Sequence, residues 1–378
     1  MANVELVATS AFGLESVVAH ELEALGYGER RVADGRIAFV ADEAGVCRAN
    51  LWLRAADRVL VKLGEFPARD FGALFEGTAA LDWASWLPPN AAFPVRGKSV
   101  RSQLHAVPSC QSIVKKAIVE SLRRAHRRER LPEDGPEYPV EVSLLRDVAT
   151  LALDTSGPGL HKRGYRKLVG TAPLKETLAA ALVLLSRWRP DEPLCDPLCG
   201  SGTIPIEAAL IARHVAPGIG RSFTAERWPR IGPAAWQRAR EEARSLERRL
   251  PGVHSAGSDR DGEALALARQ HAQAAGVASD VAFERRELER LPGDEGRGLV
   301  LCNPPYGERL GDEQEVRALF AAMATTLERR PDWSLGVLTP APELEAALGR
   351  RAEKKRKLYN GRIACTYYLF RPARARGA

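Results

Sequence analysis

The 378-residue sequence has six cysteines, Cys47, Cys110, Cys195, Cys199, Cys302 and Cys365, but no CxxC pair and no histidine at metal-ligand spacing from them. That argues against a disulfide scaffold and a zinc site; free thiols in a cytoplasmic protein, with no metal, are expected. There is no apolar run near the ~20 residues a bilayer span needs, and the longest, Ile204 to Ala212, is interrupted by Glu207. The first residues, Met1 to Glu5, have no basic stretch leading into an apolar one, so neither a secretory leader nor a membrane partner is expected. Internal repeats and low-complexity tracts are absent, as are the GxGxxG dinucleotide fingerprint and the Gly-Lys-Ser/Thr of a P-loop. With 45% hydrophobic and 27% charged residues, the composition is that of a globular chain, whose length implies two or three domains.

Charge is uneven. Lys and Arg number 55 against 48 Asp and Glu, a formal excess of +7. Residues 1–94 hold 8 basic and 13 acidic side chains, 95–170 hold 15 and 8, and 171–378 hold 32 and 27. A basic excess concentrated in the middle segment points to a polyanion. Much of it falls on a helix expected from Ser109, as its cap, to about Arg130. Ile113, Ala117, Ile118 and Leu122 form its apolar face, and Lys115, Lys116, Arg123, Arg124, Arg127, Arg128 and Arg130 the other. A merely solvated helix face is the plainer reading.

Periodicity divides the chain. Strand Val4 to Thr9, a helix carrying Leu14, Val17, Val18, Leu22 and Leu25, a hairpin at Asp34-Gly35, a helix near 43–54 and strand Arg58 to Leu63 make a βαββαβ order, the ferredoxin-like pattern, over 1–66. A second α+β module is expected over 67–156, ending in strands Val140 to Leu145 and Ala149 to Asp154. Gly157-Pro158-Gly159 opens a basic linker, 157–172. From 173 to 378 strands and helices alternate, which predicts an α/β domain with a mostly parallel sheet, broken by an insertion at 216–252 and closed by a hairpin at Asn360-Gly361.

Three constellations carry chemistry. Asp196-Pro197-Leu198-Cys199-Gly200-Ser201-Gly202-Thr203 lies at a strand-to-helix turn, where glycines permit close backbone approach and the helix offers free amides. An acidic residue before a GxG turn resembles motif I of class I methyltransferases, which bind S-adenosylmethionine. Asp259 ends the next expected strand, where a carboxylate can accept both hydroxyls of a ribose, although an Asp there also caps helices. Glu287, after the third strand, stands where this fold offers an acceptor to the adenine amino group. Asn303-Pro304-Pro305-Tyr306 follows the fourth strand. The exocyclic amine of a purine is a poor nucleophile because its lone pair is delocalised. Acceptors on both N–H bonds, the Asn303 side-chain oxygen and the Pro304 carbonyl, can turn that lone pair toward a methyl donor. Pro305 stiffens the turn, and Tyr306 offers a face for stacking an extruded base.

Together, "GLHKRGYR" (159–166), "APLKETLAAA" (172–181), "DPLCGSGTIPIEAA" (196–209) and "NPPYGERLG" (303–311) resemble the THUMP-domain family of RNA guanine-N2 methyltransferases. The chain is most similar to the guanine-N2 half of the bacterial 23S rRNA enzyme, without its second methyltransferase half. The resemblance implies a ferredoxin-like part and a THUMP RNA-binding module, followed by a Rossmann-like domain with a seven-stranded, mostly parallel sheet. It further implies S-adenosylmethionine as methyl donor, S-adenosylhomocysteine as product and no metal, since the sulfonium already makes transfer favourable. N2-methylguanosine in 23S rRNA is the expected product, with tRNA as the alternative substrate and no obligate protein partner. The cofactor site would comprise Asp196, Pro197, Cys199, Gly200, Ser201, Gly202, Thr203, Asp259, Glu287 and Asn303. RNA would meet Lys115, Lys116, Arg123, Arg124, Arg127, Lys162, Arg163, Arg166 and Arg309. Gly307-Glu308-Arg309 after Tyr306 favours guanine over adenine N6 within this family. A rival reading, an inactive RNA-binding assembly factor, predicts loss of Asp259 or the Asn-Pro-Pro-Tyr turn, and both are intact.

Overall fold

β1 (Val4–Ser10) leads into α1 (Glu15–Ala24), which Gly26 stops at φ +91°. β2 (Arg30–Ala33) and β3 (Arg36–Ala41) meet at Gly35, whose φ of +68° supplies the left-handed turn a short hairpin needs. α2 (Glu43–Trp52) is capped by Asp42, whose side chain accepts the Gly45 N–H, and β4 (Ala56–Pro67) follows. The computed structural model of the chain describes residues 3–166, 174–249, 252, 255–288, 296–305 and 313–372.

At twelve residues, β4 is twice as long as its apolar run suggests. It pairs with β1 through its first half, bulges between Lys62 and Gly64, and continues along β7 (Val148–Asp154). The ferredoxin-like part and the following module, α3 (Phe71–Ala79), β5 (Val95–Val100), α4 (Val107–His126) and β6 (Val140–Leu145), therefore share one seven-stranded sheet, ordered β2-β3-β1-β4-β7-β6-β5. α4 differs from expectation at both ends. It begins two residues before Ser109, with Pro108 in the first turn, where its fixed φ suits a helix start. Arg127 adopts the left-handed conformation at φ +52° and ends the helix, so Arg128 and Arg130 lie beyond it.

The second unit contains α5 (Glu176–Ser186), β8 (Leu194–Asp196) and α6 (Thr203–Ala212). The insertion does not stay with it. Residues 222–242, including most of α7 (Pro233–Ser245), belong to the first unit, where Trp228 stacks on Tyr138 at 4.5 Å and donates Nε1–H to the Glu137 carbonyl. The second unit resumes with β9 (Ser255–Asp259), α8 (Gly262–Ala274), β10 (Val281–Arg285), β11 (Gly298–Cys302), α9 (Glu313–Glu328), β12 (Trp333–Thr339), α10 (Leu344–Ala347), β13 (Lys354–Asn360) and β14 (Ile363–Phe370). Its sheet runs β10-β9-β8-β11-β12-β14-β13; the first five strands are parallel, and β14 is antiparallel to both neighbours. Every residue of β11 and β12 is buried, as strands covered on both faces must be. Phe320, Met323 and Leu327 of α9 pack against β11 and β12, while Ile206, Leu210, Leu265 and Ala268 of α6 and α8 pack with Phe283. No helix among the described residues is long and apolar enough to cross a membrane.

Candidate active site

In the second sheet β10, β9, β8 and β11 are consecutive neighbours, so residues leaving their carboxyl ends share one edge. The chain passes from β8 to β9 on one side, while β11 lies on the other, and such a reversal leaves a crevice in an open α/β sheet. The glycine turn leaves β8, Asp259 ends β9, Glu287 follows β10 and Asn303 follows β11.

Asp196 is 2% exposed and accepts the Leu198 N–H at 3.1 Å. Burial, helped by the nearby Asp259 charge, pushes its carboxyl up to about 8. Cys199 N–H donates to the Ser258 carbonyl at 3.0 Å, and Gly202 N–H to the Cys199 carbonyl at 2.8 Å, which closes the turn into α6. The two glycines serve different ends. At Gly202, φ +79°, a Cβ would come within 2.8 Å of the Phe283 ring and 2.9 Å of Ala268, so this glycine lets α6 approach α8 and β10. At Gly200, φ +50°, nothing among the described residues lies within 4 Å of a Cβ. Of the two glycines expected to let a ligand approach, Gly202 is enclosed by neighbouring side chains and Gly200 is the more open. The Cys199 side chain packs with Ile206 and Phe283, and burial raises its thiol pKa, so its backbone is the part presented at the turn. Pro197 and Thr203 are buried too, whereas Ser201 is half-exposed.

Asp259 accepts the Gly200 N–H at 2.9 Å through Oδ2 and the Asp261 N–H at 3.0 Å through Oδ1. It is half-exposed, and each oxygen keeps a lone pair for a further donor. Glu287 is exposed in a cleft of about 460 Å³ shared with Arg260, Arg285 and Arg286. Asn303 Oδ1 is buried and accepts no hydrogen bond among the described residues, an orphan that costs roughly 1–3 kcal/mol unless a ligand donates to it. Pro304 beneath it is buried and Pro305 half-exposed. Tyr306 and Arg309 lie outside the described residues. One residue escaped the sequence reading: His271, 3% exposed on α8, has Nδ1 3.1 Å from the Ser201 carbonyl. A carbonyl only accepts, so Nδ1 carries the proton. Seventy positions separate the pair, and a lone His in an Ala-rich helix gives no signal.

Residues 163–369 match the RMKL-like methyltransferase domain, 5–60 the RlmL ferredoxin-like domain and 68–154 the THUMP domain. The chain belongs to the RMKL-like methyltransferase family. It is 46% identical over 372 residues to the "Putative RNA methyltransferase YpsC" of Bacillus subtilis, covering 98% of this chain and 96% of that one. A crystal structure of "a predicted N6-adenine-specific DNA methylase" from Listeria monocytogenes is 47% identical, with a TM-score of 0.94 over 99% of this chain and 97% of that one. SMU.472, "a putative methyltransferase complexed with SAH", is 43% identical, with a TM-score of 0.94 over the whole of both chains.

The THUMP domain of this methyltransferase carries the basic face of α4. Arg123, Arg124 and Arg127 are exposed, and the Lys116 side chain is 68% exposed beside Glu120 at 4.0 Å. Lys115 is already engaged, by Glu133 at 2.7 Å and the Phe93 carbonyl at 3.2 Å. The linker corrects two expected RNA contacts. The Arg163 side chain, 3% exposed, lies 3.5 Å from Glu207, which also accepts the Tyr165 hydroxyl at 3.0 Å. Arg166, 6% exposed, pairs with Glu176 at 3.3 Å and donates to the Leu174 carbonyl. Both guanidiniums hold the linker to α5 and α6 instead of facing a phosphate. Lys162 between them and the THUMP sequence is exposed, and Lys167 lies outside the described residues.

Proposed function

We propose that this protein transfers a methyl group from S-adenosylmethionine to the exocyclic N2 of a guanine in RNA, with 23S rRNA the first substrate to examine and tRNA the second. The observation that carries the reading is the buried, unpaired Asn303 Oδ1 at the edge shared with the glycine turn. A preorganised acceptor in a water-poor site is worth most where an amine N–H develops positive charge during attack. The residues present suit the cofactor: Gly200 leaves space for it, Asp259 retains acceptor capacity for ribose hydroxyls, and a structural relative holds its demethylated product. When bound, it supplies an electrophilic methyl on a sulfonium. Asn303 and the Pro304 carbonyl would hold the two amine protons and aim the lone pair at that methyl, and one held proton would leave the nitrogen as the N–C bond replaces the S–C bond. RNA as substrate is supported by the THUMP match, the basic face of α4 and the description of the Bacillus relative. Guanine rests on the family resemblance of Gly307-Glu308-Arg309.

The Listeria relative's description favours a second reading, adenine N6, since the same acceptor pair serves either purine amine. Incubating the protein with labelled S-adenosylmethionine and rRNA, tRNA or genomic DNA from a strain lacking it, then separating nucleosides by mass spectrometry, distinguishes these. Label in N2-methylguanosine supports the proposal. Label in N6-methyladenosine, or in DNA only, overturns it, and no label in any nucleic acid supports the inactive binding protein.

A further inference from the structure

The last hairpin of the methyltransferase unit carries charge and aromatic surface that the cofactor site does not use. β13 is the sheet's edge strand and runs parallel to β11, being antiparallel to β14, which is antiparallel to β12. Cross-strand partners run from Cys302 to Val337, Tyr368 and Lys355. Lys357 and Tyr359 therefore lie two and four residues past the level of Cys302, on the side to which Asn303 leads. Three strand spacings, roughly 14 Å, separate them laterally from β11.

Cations on this edge divide by partner. Lys355 is taken by Glu345 at 2.8 Å, and Arg356 by the Gly13 carbonyl and Ser16 Oγ, each at 2.9 Å. Lys357 and Arg362 are exposed and have no ion pair among the described residues; Lys357 Nζ sits 5.7 Å from the centre of the Tyr359 ring. Phe12 meets Tyr359 edge-on at 6.1 Å, yet is 52% exposed, and Ile363 on the same hairpin is 45% exposed. Phe12, with the half-exposed Tyr359 beside it, stands among cations without ion pairs, the kind of surface on which single-stranded nucleic acid is held, bases stacking while phosphates meet the charges.

We propose that the hairpin end formed by Lys357, Tyr359 and Arg362, with Phe12, is an RNA-contacting surface that holds unpaired nucleotides flanking the target base. The inference rests on the reading of this protein as an RNA methyltransferase. Edge lysines also guard a strand against unwanted pairing, and Lys354, exposed at the far end of β13, serves as the control for that role.

Filter binding to a 23S rRNA transcript across a potassium chloride series separates the two roles. Lys357→Gln with Arg362→Gln should lower the slope of log affinity against log salt by about 1.4, the value for two single-strand phosphates. Phe12→Ser should weaken binding roughly tenfold with the slope unchanged. Lys354→Gln should match wild type, and calorimetry should give all variants unaltered S-adenosylmethionine affinity. Wild-type slope and affinity in both hairpin variants would overturn the proposal, as would an equal loss in Lys354→Gln. If wild type itself binds the transcript without salt dependence, the RNA reading fails and takes this surface with it; if wild type binds normally and only the hairpin variants are silent, the surface alone is refuted.

Discussion

Asp259 holds Gly200 across 59 positions of sequence, its Oδ2 accepting the Gly200 N–H at 2.9 Å. The carboxylate at the end of β9 thereby shapes the turn after β8, so the residue proposed to receive a ribose also sets the backbone beside it. Asp259→Ala should lower S-adenosylmethionine affinity by more than a ribose contact alone, at least tenfold by calorimetry, because a charged hydrogen bond is worth about 1.5–3 kcal/mol. A variant with wild-type affinity would remove Asp259 from the cofactor site.

The two glycines should separate stability from binding. Gly202→Val meets Phe283 and Ala268 and a left-handed φ, and should cost about 2–5 kcal/mol in denaturant unfolding. Gly200→Ala has open space and only the backbone strain, about 1–2 kcal/mol, so it should fold and bind the cofactor less well. Equal stability of the two variants would contradict the packing described for Gly202.

Asn303→Ala should reduce the single-turnover rate on the order of 10²-fold or more, with RNA affinity near wild type. Since Oδ1 is buried and unpaired, its removal should leave the melting temperature unchanged or raise it. A normal rate, or a marked loss of stability, would show that Asn303 has another job.

Arginines of similar sequence appearance should behave in opposite ways. Replacing Lys116, Arg123 and Arg127 by Gln should lower the salt slope of RNA binding by about 2 to 3 while the protein stays folded. Arg163→Gln leaves Glu207 without its buried cation and should cost about 3–5 kcal/mol of stability. A stable Arg163→Gln protein with a reduced salt slope would restore Arg163 to the RNA surface.

Asp196 predicts a pH dependence. Its carboxyl is raised from 3.8 to about 8 in the folded chain, mainly by burial. The folded state therefore holds a proton that the unfolded chain releases. The associated stability is complete below pH ~4, is lost as pH rises toward ~8 and is then constant. Asp196→Asn removes this titration while keeping an acceptor for the Leu198 N–H. Its melting temperature relative to wild type should rise between pH 4 and 8; parallel curves would mean that Asp196 ionises normally.

Several elements were legible because the sequence states them locally. Asp34-Gly35 specifies a turn wherever it sits, the apolar spacing of α4 specifies a buried face, and the alternation of strands and helices after residue 173 specifies an α/β domain. The order of motifs along the chain likewise determined that the glycine turn, Asp259, Glu287 and Asn303 stand at the ends of successive strands. What lay beyond the sequence depended on partners distant in it. Arg163 and Arg166 look like phosphate ligands in "HKRGYR" until Glu207 and Glu176 arrive from α6 and α5 to neutralise them. Gly200 and Gly202 look alike until Phe283 and Ala268 close over one of them. His271 gains a role only when α8 brings its ring to the Ser201 carbonyl, and residues 222–242 join the first unit through distant partners, Tyr138 stacking on Trp228 and Arg48 pairing with Glu242 among them. Backbone preference and periodicity act over a few residues and can be read from one strand of text, whereas burial and charge pairing belong to neighbours that only the folded chain brings together.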